Sequence, residues 1–185
     1  MTKLNLGSGK DFRYGFINVD IEDFSELANK RNMIFKQLDL EKPLPFKDNS
    51  VDEVYCASLL EHIFNLSQLI DEIYRVCKPD AKVTFRVPHF TNNTFEFHIR
   101  PFRFDMLHDY CLPNEKYTSN KFYKKSWLNK IYFYKIKRKI DFTSIYNFMN
   151  VINLSPFLVK LYECTLLRSL FFANIIIFEA RIYKK

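Results

Sequence analysis

Leu4-Asn5-Leu6-Gly7-Ser8-Gly9, followed by Gly15-Phe16-Ile17-Asn18-Val19-Asp20-Ile21, decides how this chain is read. Lys3–Leu6 is a short apolar run that stops at two glycines one residue apart, which predicts a strand running into a tight turn. The whole chain holds three glycines against 20 Phe and 11 Tyr. Two of the three in one turn therefore mark backbone that must take an unusual conformation or pass close to something. Residues 16–21 (FINVDI) read as a second strand, ending at Asp20.

The pattern repeats downstream. Residues 22–30 are weakly helical, and residues 33–40 (MIFKQLDL) form a third strand candidate ending at Asp39. Two prolines and an Asp-Asn-Ser turn make residues 41–50 a loop. Val51–Ala57 is a fourth strand. Asn65 then caps a helix, with Gln68 at capping-box spacing. Leu66, Leu69, Ile70, Ile73 and Cys77 share one face of that helix at helical spacing. Pro79-Asp80 stops it, and residues 82–87 (KVTFRV) are a fifth strand, cut by Pro88. Strand, connection and strand in this rhythm predict an α/β, Rossmann-like, mostly parallel sheet with helices on both faces.

The second half is less regular. Residues 89–113 have no sustained period, apart from a short helix expected near residues 104–110. Residues 131–140 read as a strand, and Pro156 opens a helix expected to run to Phe171. Residues 174–183 (NIIIFEARIY) are a final strand, expected antiparallel. The predicted organisation is one domain: a half formed by residues 1–89, a cap and covering helices from residues 90–172, and a closing strand in residues 173–185.

Composition bounds the class. A chain of 185 residues, 48% hydrophobic and 26% charged, suits one globular domain and not a disordered one. Cys56, Cys77, Cys111 and Cys164 form no CxxC pair, which excludes zinc-ribbon and thioredoxin-like readings. No signal-like start is visible, and no uncharged run is long enough to span a bilayer, so a reducing, cytoplasmic setting is expected. Residues 1–80 carry 10 Lys/Arg and 14 Asp/Glu, while residues 81–185 carry 18 and 7. The two halves therefore present different surfaces.

The chemistry gathers at the strand ends. In an open α/β sheet, ligands bind outside the carboxyl ends of the strands, where the strand order reverses. The first four ends here carry Gly7-Ser8-Gly9, Asp20, Asp39 and Ala57-Ser58. Glycines let backbone approach a ligand. A carboxylate after the second strand suits two ribose hydroxyls, and one after the third can accept from an adenine amino group.

At these residues the sequence resembles the class I S-adenosylmethionine-dependent methyltransferases, in particular their small type 11-like branch. The resemblance continues through residues 44–54 (LPFKDNSVDEV), Leu60-Glu61-His62-Ile63 and residues 72–80 (EIYRVCKPD), and ends near His89. It implies S-adenosylmethionine as cofactor. Gly7, Ser8 and Gly9 would lie under its methionine part, Asp20 with Ile21 beside it at the ribose, Asp39 with Leu40 at the adenine, and Ser58 at the transfer site.

Four departures stand out. Asn5 occupies the family's usual acidic position, and Asp11 occupies the third glycine position. Only Ser8 to Gly15 joins the first two strands, which reduces the usual first helix to a loop. Asp80 replaces the glycine that normally follows Lys-Pro.

Methyl transfer to a hydroxyl is helped by a general base, most often His. His62, His89 and His98 are the candidates, each placed after a strand or in the segment (HIRPF) expected to fold over the pocket. His108 ranks below them. No Asp/Asn-Pro-Pro-aromatic motif and no Pro-Cys pair is present, which argues against the usual nucleic-acid amino and pyrimidine-carbon methylation. No metal site is expected. The leading expectation is O-methylation of a small molecule or sugar. Residues 121–139 hold eight Lys/Arg, no acid and interleaved aromatics. They suit a lysine-guarded sheet edge, an anionic membrane surface or nucleic acid. A non-catalytic binding module and an RNA methyltransferase docking through this stretch are the alternatives.

Overall fold

The computed structural model describes residues 1–92, 98–111, 132–142 and 144–184, and the side chains of residues 144–147 are not among them. Its strands are β1 (Lys3–Leu6), β2 (Ile17–Asp20), β3 (Ile34–Gln37), β4 (Val51–Ala57), β5 (Cys77–Pro88), β6 (Phe133–Phe142) and β7 (Ala173–Ile182). Its α-helices are α1 (Ser25–Lys30), α2 (Leu66–Val76), α3 (Pro156–Cys164) and α4 (Leu167–Leu170). One seven-stranded sheet runs in the order β3-β2-β1-β4-β5-β7-β6. β1 to β5 are parallel, β7 is antiparallel to β5, and β6 is antiparallel to β7.

Burial shows which strands carry the core. Consecutive residues are buried in β1 (Leu4, Asn5, Leu6), β4 (Val54, Tyr55, Cys56) and β5 (Val83, Thr84, Phe85), so both faces of the centre are covered. β6 instead alternates, with Ile136, Arg138 and Ile140 inside and Lys135, Lys137 and Lys139 outside. β6 is an edge strand, and outward lysines oppose pairing with another chain. That accounts for the described part of the basic stretch, while residues 121–131 lie outside the described residues.

The short crossover is real, and two buried amides hold it. Parallel neighbours usually need a dozen or more residues to cross over, yet β1 and β2 are joined by residues 7–16 with no helix. The Asn5 Nδ2 donates to Asp11 O at 3.0 Å and to Asn18 Oδ1 at 2.9 Å. Asn18 Oδ1 also accepts from Arg13 N at 2.8 Å, and its Nδ2 donates to Ile34 O at 3.0 Å. The loop is thus pinned from below by the strands it joins.

Three expected elements differ. β5 starts at Cys77, five residues before the expected Lys82. Its pairing with β4 jumps from Val51↔Cys77 to Glu53↔Lys82, so a bulge absorbs Pro79 and Asp80. Asp80 has a φ of +61°, a conformation its glycine counterpart takes freely. Tyr134 donates a short hydrogen bond to its carboxylate, and the Arg181 guanidinium bonds its carbonyl at 3.0 Å.

The helix expected near residues 104–110 is one 3-10 turn, His108–Tyr110, because Leu107 sits at a left-handed φ of +57°. The helix expected to run from Pro156 to Phe171 breaks after Cys164. Tyr162, buried, donates its hydroxyl to Phe171 O at 2.6 Å. In a continuous helix those two residues would stand about 13 Å apart along the axis, so the chain must turn back.

Candidate active site

β1 and β4 are neighbours in the sheet while their sequence neighbours leave in opposite directions, which makes the gap above them the switch point. Gly7 closes one side with a φ of +66°. A Cβ on Gly7 would stand 2.8 Å from the Leu59 Cβ, so the turns after β1 and β4 pack together only because this residue is glycine. Gly9, at φ +47°, has open space where a Cβ would stand. Ser58, the residue after β4, also takes a positive φ of +51° and donates its N–H to Arg86 O at 2.9 Å. A non-glycine residue held in that region marks a constrained turn at the ligand edge.

The acidic residues are placed as the strand ends predict. Asp20 Oδ2 accepts from Gly9 N at 2.7 Å, and its Oδ1 accepts from Glu22 N at 3.1 Å. Each oxygen keeps a second lone pair for a hydroxyl donor. Ile21 is exposed beside it. Ser8, buried, ties the loop to β2 through Val19 O at 2.9 Å. Asp39 Oδ1 accepts from Glu41 N at 2.9 Å, and Lys42 lies 3.3 Å from Oδ2. The Glu41 N–H first, and then Lys42, hold the Asp39 carboxyl below the usual range. Leu40 is buried next to it. Open backbone at Gly9 beside a carboxylate with spare lone pairs fits a ribose and its attached sulfonium chain. Asn5, by contrast, has both amide hydrogens engaged in the loop and offers no charge to an ammonium group.

At the carboxyl ends of β4 and β5 lies a cavity of about 350 Å³, lined by Ser58, Glu61, His62, Pro88, Asn92, His98, Asn174 and Ile175. The fold brings His62 and His98 together here, with ring centroids 5.0 Å apart. The segment carrying His98 is fastened to the turn carrying His62. Ile99 N donates to Glu61 O at 2.9 Å, and the Arg100 guanidinium donates to Ile63 O at 2.7 Å and Phe64 O at 2.9 Å. Burial, then the neighbouring His62, lowers the His98 pKa, which favours a neutral imidazole. Glu61 is 1% exposed, and burial raises its carboxyl above the usual range.

His89 is placed differently from the expectation. Its ring is fully buried, its Nδ1 accepts from Thr91 N at 3.2 Å, and its Nε2 lies 3.1 Å from Glu163 Oε1. With Nδ1 accepting, Nε2 carries a hydrogen and donates it to Glu163. The same Glu163 oxygen accepts from Phe104 N at 2.7 Å. Burial would raise the Glu163 carboxyl, but His89, Phe104 N–H and Arg103 bring it below the usual range. His89 therefore joins the end of β5 to α3 and does not line the cavity with His62 and His98. His108 lines a second cavity of about 420 Å³, near Arg103, Tyr110, Arg138 and Lys160, which shares none of the strand-end residues. Although larger, that cavity lies apart from the switch point, so the chemistry is assigned to the smaller one.

One feature of the site is absent from the sequence reading. Glu61, named there only within the stretch Leu60–Ile63, lines the cavity beside His62 and His98, and one ligand-type atom of each lies within 4.8 Å of the others. Contact between residues 61–62 and 98 depends on the chain's return from residue 90 onward, and no local spacing encodes it.

Residues 10–85 match the family model described as a methyltransferase domain of type 11. Among solved structures, a S-adenosylmethionine-dependent methyltransferase from Archaeoglobus fulgidus is 16% identical with a TM-score of 0.63, over 97% of this chain and 85% of that one. The YcgJ protein from Bacillus subtilis is 16% identical with a TM-score of 0.59, over 100% and 92%. A phosphoethanolamine N-methyltransferase from Haemonchus contortus is 14% identical with a TM-score of 0.57, and this chain spans 49% of its length. No functionally curated protein matches the sequence. Residues 10–85 are thus similar to a type 11 methyltransferase domain, and the fold of the chain is that of S-adenosylmethionine-dependent methyltransferases of solved structure. S-adenosylmethionine is its methyl donor. Among the described residues, no helix is long and apolar enough to cross a membrane.

Proposed function

We propose that this chain methylates a hydroxyl on a small molecule or sugar, as one domain in which residues 1–89 hold the cofactor and residues 90–172 close the acceptor side. The observation that carries this reading is the pairing of His62 and His98 at the cavity beside Ser58. When bound, the cofactor supplies a methyl group already activated on a sulfonium. What remains for the protein is to position an acceptor, exclude water and receive a proton. Gly7, Ser8 and Gly9 support the methionine part, Asp20 and Ile21 the ribose, Asp39 and Leu40 the adenine. The His98 imidazole, kept neutral by burial and by His62, is ready to take the hydroxyl proton. A cavity of about 350 Å³ suits a small acceptor. The departures at Asn5 and Asp80 are met by loop and strand bonds, so neither argues for loss of turnover.

The test is transfer of labelled methyl to a panel of alcohols, sugars and amines. Hydroxyl acceptors should be labelled, and His62→Ala and His98→Ala should each lower turnover by about 10²–10⁴-fold with cofactor affinity unchanged. Labelling of amines alone, or equal turnover in both variants, would overturn the assignment.

A further inference from the structure

We infer that Glu61, His62 and His98 form a binding site for a first-row divalent cation in the acceptor cavity. One ligand-type atom from each residue lies within 4.8 Å of the other two, and all three residues line the same cavity. Ligand atoms about 2.1 Å from a shared ion stand about 3–4 Å from one another. An ion there would draw these atoms together by at most about 1–2 Å.

A second observation points to the same ligand. Glu61 is 1% exposed, yet its Oε2 has no hydrogen-bond partner among the described residues. Buried carboxylate oxygens are normally satisfied, and an orphan one calls for an explanation such as a bound ion. The backbone supports the geometry from outside. Ile99 N bonds Glu61 O, and Arg100 bonds the carbonyls of Ile63 and Phe64, so the residues flanking His98 are clamped to the turn that carries Glu61 and His62.

The donor set identifies the ion class. Two imidazoles and one carboxylate suit manganese, iron, cobalt, nickel or zinc, whereas magnesium and calcium prefer all-oxygen sites. Three protein ligands leave positions open toward the cavity, as catalytic sites do. The site rests on reading this cavity as the acceptor pocket, and with the ion bound the task of the imidazoles changes: they hold the ion, which in place of His98 as base binds and acidifies the acceptor hydroxyl. The hydroxyl proton passes to solvent water. The oxygen forms its bond to the methyl carbon as the carbon–sulfur bond breaks, its electron pair staying on sulfur.

The experiment uses the untagged chain, stripped with a chelator, and Co²⁺ as the probe. Titration followed by visible absorption should show one equivalent bound. Glu61→Gln and His98→Asn should each weaken binding beyond the about 10–100-fold that changes outside the ligand shell cause. His108→Asn, in the other cavity, should bind as wild type. Circular dichroism checks that both variants fold, and His98→Asn carries the test if the buried Glu61→Gln does not. Absence of Co²⁺ binding by wild type, or equal binding by folded variants, would overturn the site. Cation binding needs no acceptor, so it is read separately from methyl transfer. Variant-sensitive Co²⁺ binding without hydroxyl labelling would support the site and overturn the hydroxyl reading.

Discussion

Asn5 stands in β1 where the resemblance leads one to expect an acid, and its partners explain the exchange. Its two amide hydrogens meet two acceptors, Asp11 O and Asn18 Oδ1, in a buried setting. An aspartate there would face oxygen with oxygen. Asn5→Asp is therefore expected to destabilise the fold by about 2–4 kcal/mol, two lost hydrogen bonds with their acceptors left buried. Urea unfolding with an unchanged midpoint would show that the loop does not depend on this amide. Asp20 braces Gly9 N and, in the proposed site, faces the ribose. Asp20→Ala should weaken cofactor binding by about 1.5–3 kcal/mol, the range for hydrogen bonds to a charged group. Asp20→Asn keeps an acceptor for Gly9 N–H, so titration calorimetry on both variants separates loop support from charge. Equal affinity in Asp20→Ala and wild type would remove Asp20 from the ribose role. At this scale the sequence places Gly7, Gly9, Asp20 and Ser58 at the strand ends where the structure has them, because position in the sheet follows from local pattern. It misplaces His89, because the buried Glu163 that captures its ring lies 74 residues away.

Elements were legible in proportion to how local their causes are. α2 falls where the apolar spacing and the Asn65 cap predict it, with Gln68 N donating to Asn65 Oδ1 at 3.2 Å. β1 and β4 have the predicted bounds, since turn residues flank both. Elements shaped by distant partners were not legible. The early start of β5 depends on a bulge against β4, and the break after α3 depends on Tyr162 reaching Phe171 O. The 3-10 turn at residues 108–110 depends on the left-handed Leu107. The reduced crossover between β1 and β2 was legible from its length alone, but its amide support was not, since Asn5 and Asn18 meet across the sheet.

For the whole molecule, the buried His89–Glu163 pair fastens the end of β5 to α3. Glu163 is held below its ordinary pKa, so the folded state binds its proton less readily than the unfolded chain. Its contribution to stability is present above about pH 4.5 and is lost as pH falls through the lower folded value. Glu163→Gln should therefore cost about 1.5–3 kcal/mol at neutral pH, by removing the charge from the hydrogen bonds that His89 and Phe104 N make to it. The cost should shrink as the solution is acidified below pH 4.5. Thermal unfolding of wild type and variant across pH 3–7 checks this, and a gap that widens toward acid would exclude Glu163 as the cause.

The strand order also sets a sequence of events in time. β7 sits between β5 and β6, and its partners in β5 lie far back along the chain: Lys82 pairs with Arg181, and Pro88 with Ile175. Until residues 173–182 arrive, β5 has an open edge and β6 has no neighbour to join. Contacts of such separation are entropically slow to close. The sheet therefore completes late, and during synthesis the emerging chain passes through an interval in which the apolar strand Cys77–Pro88 is an adhesive edge. The interval ends when β7 docks and brings the lysine-lined strand to the outside.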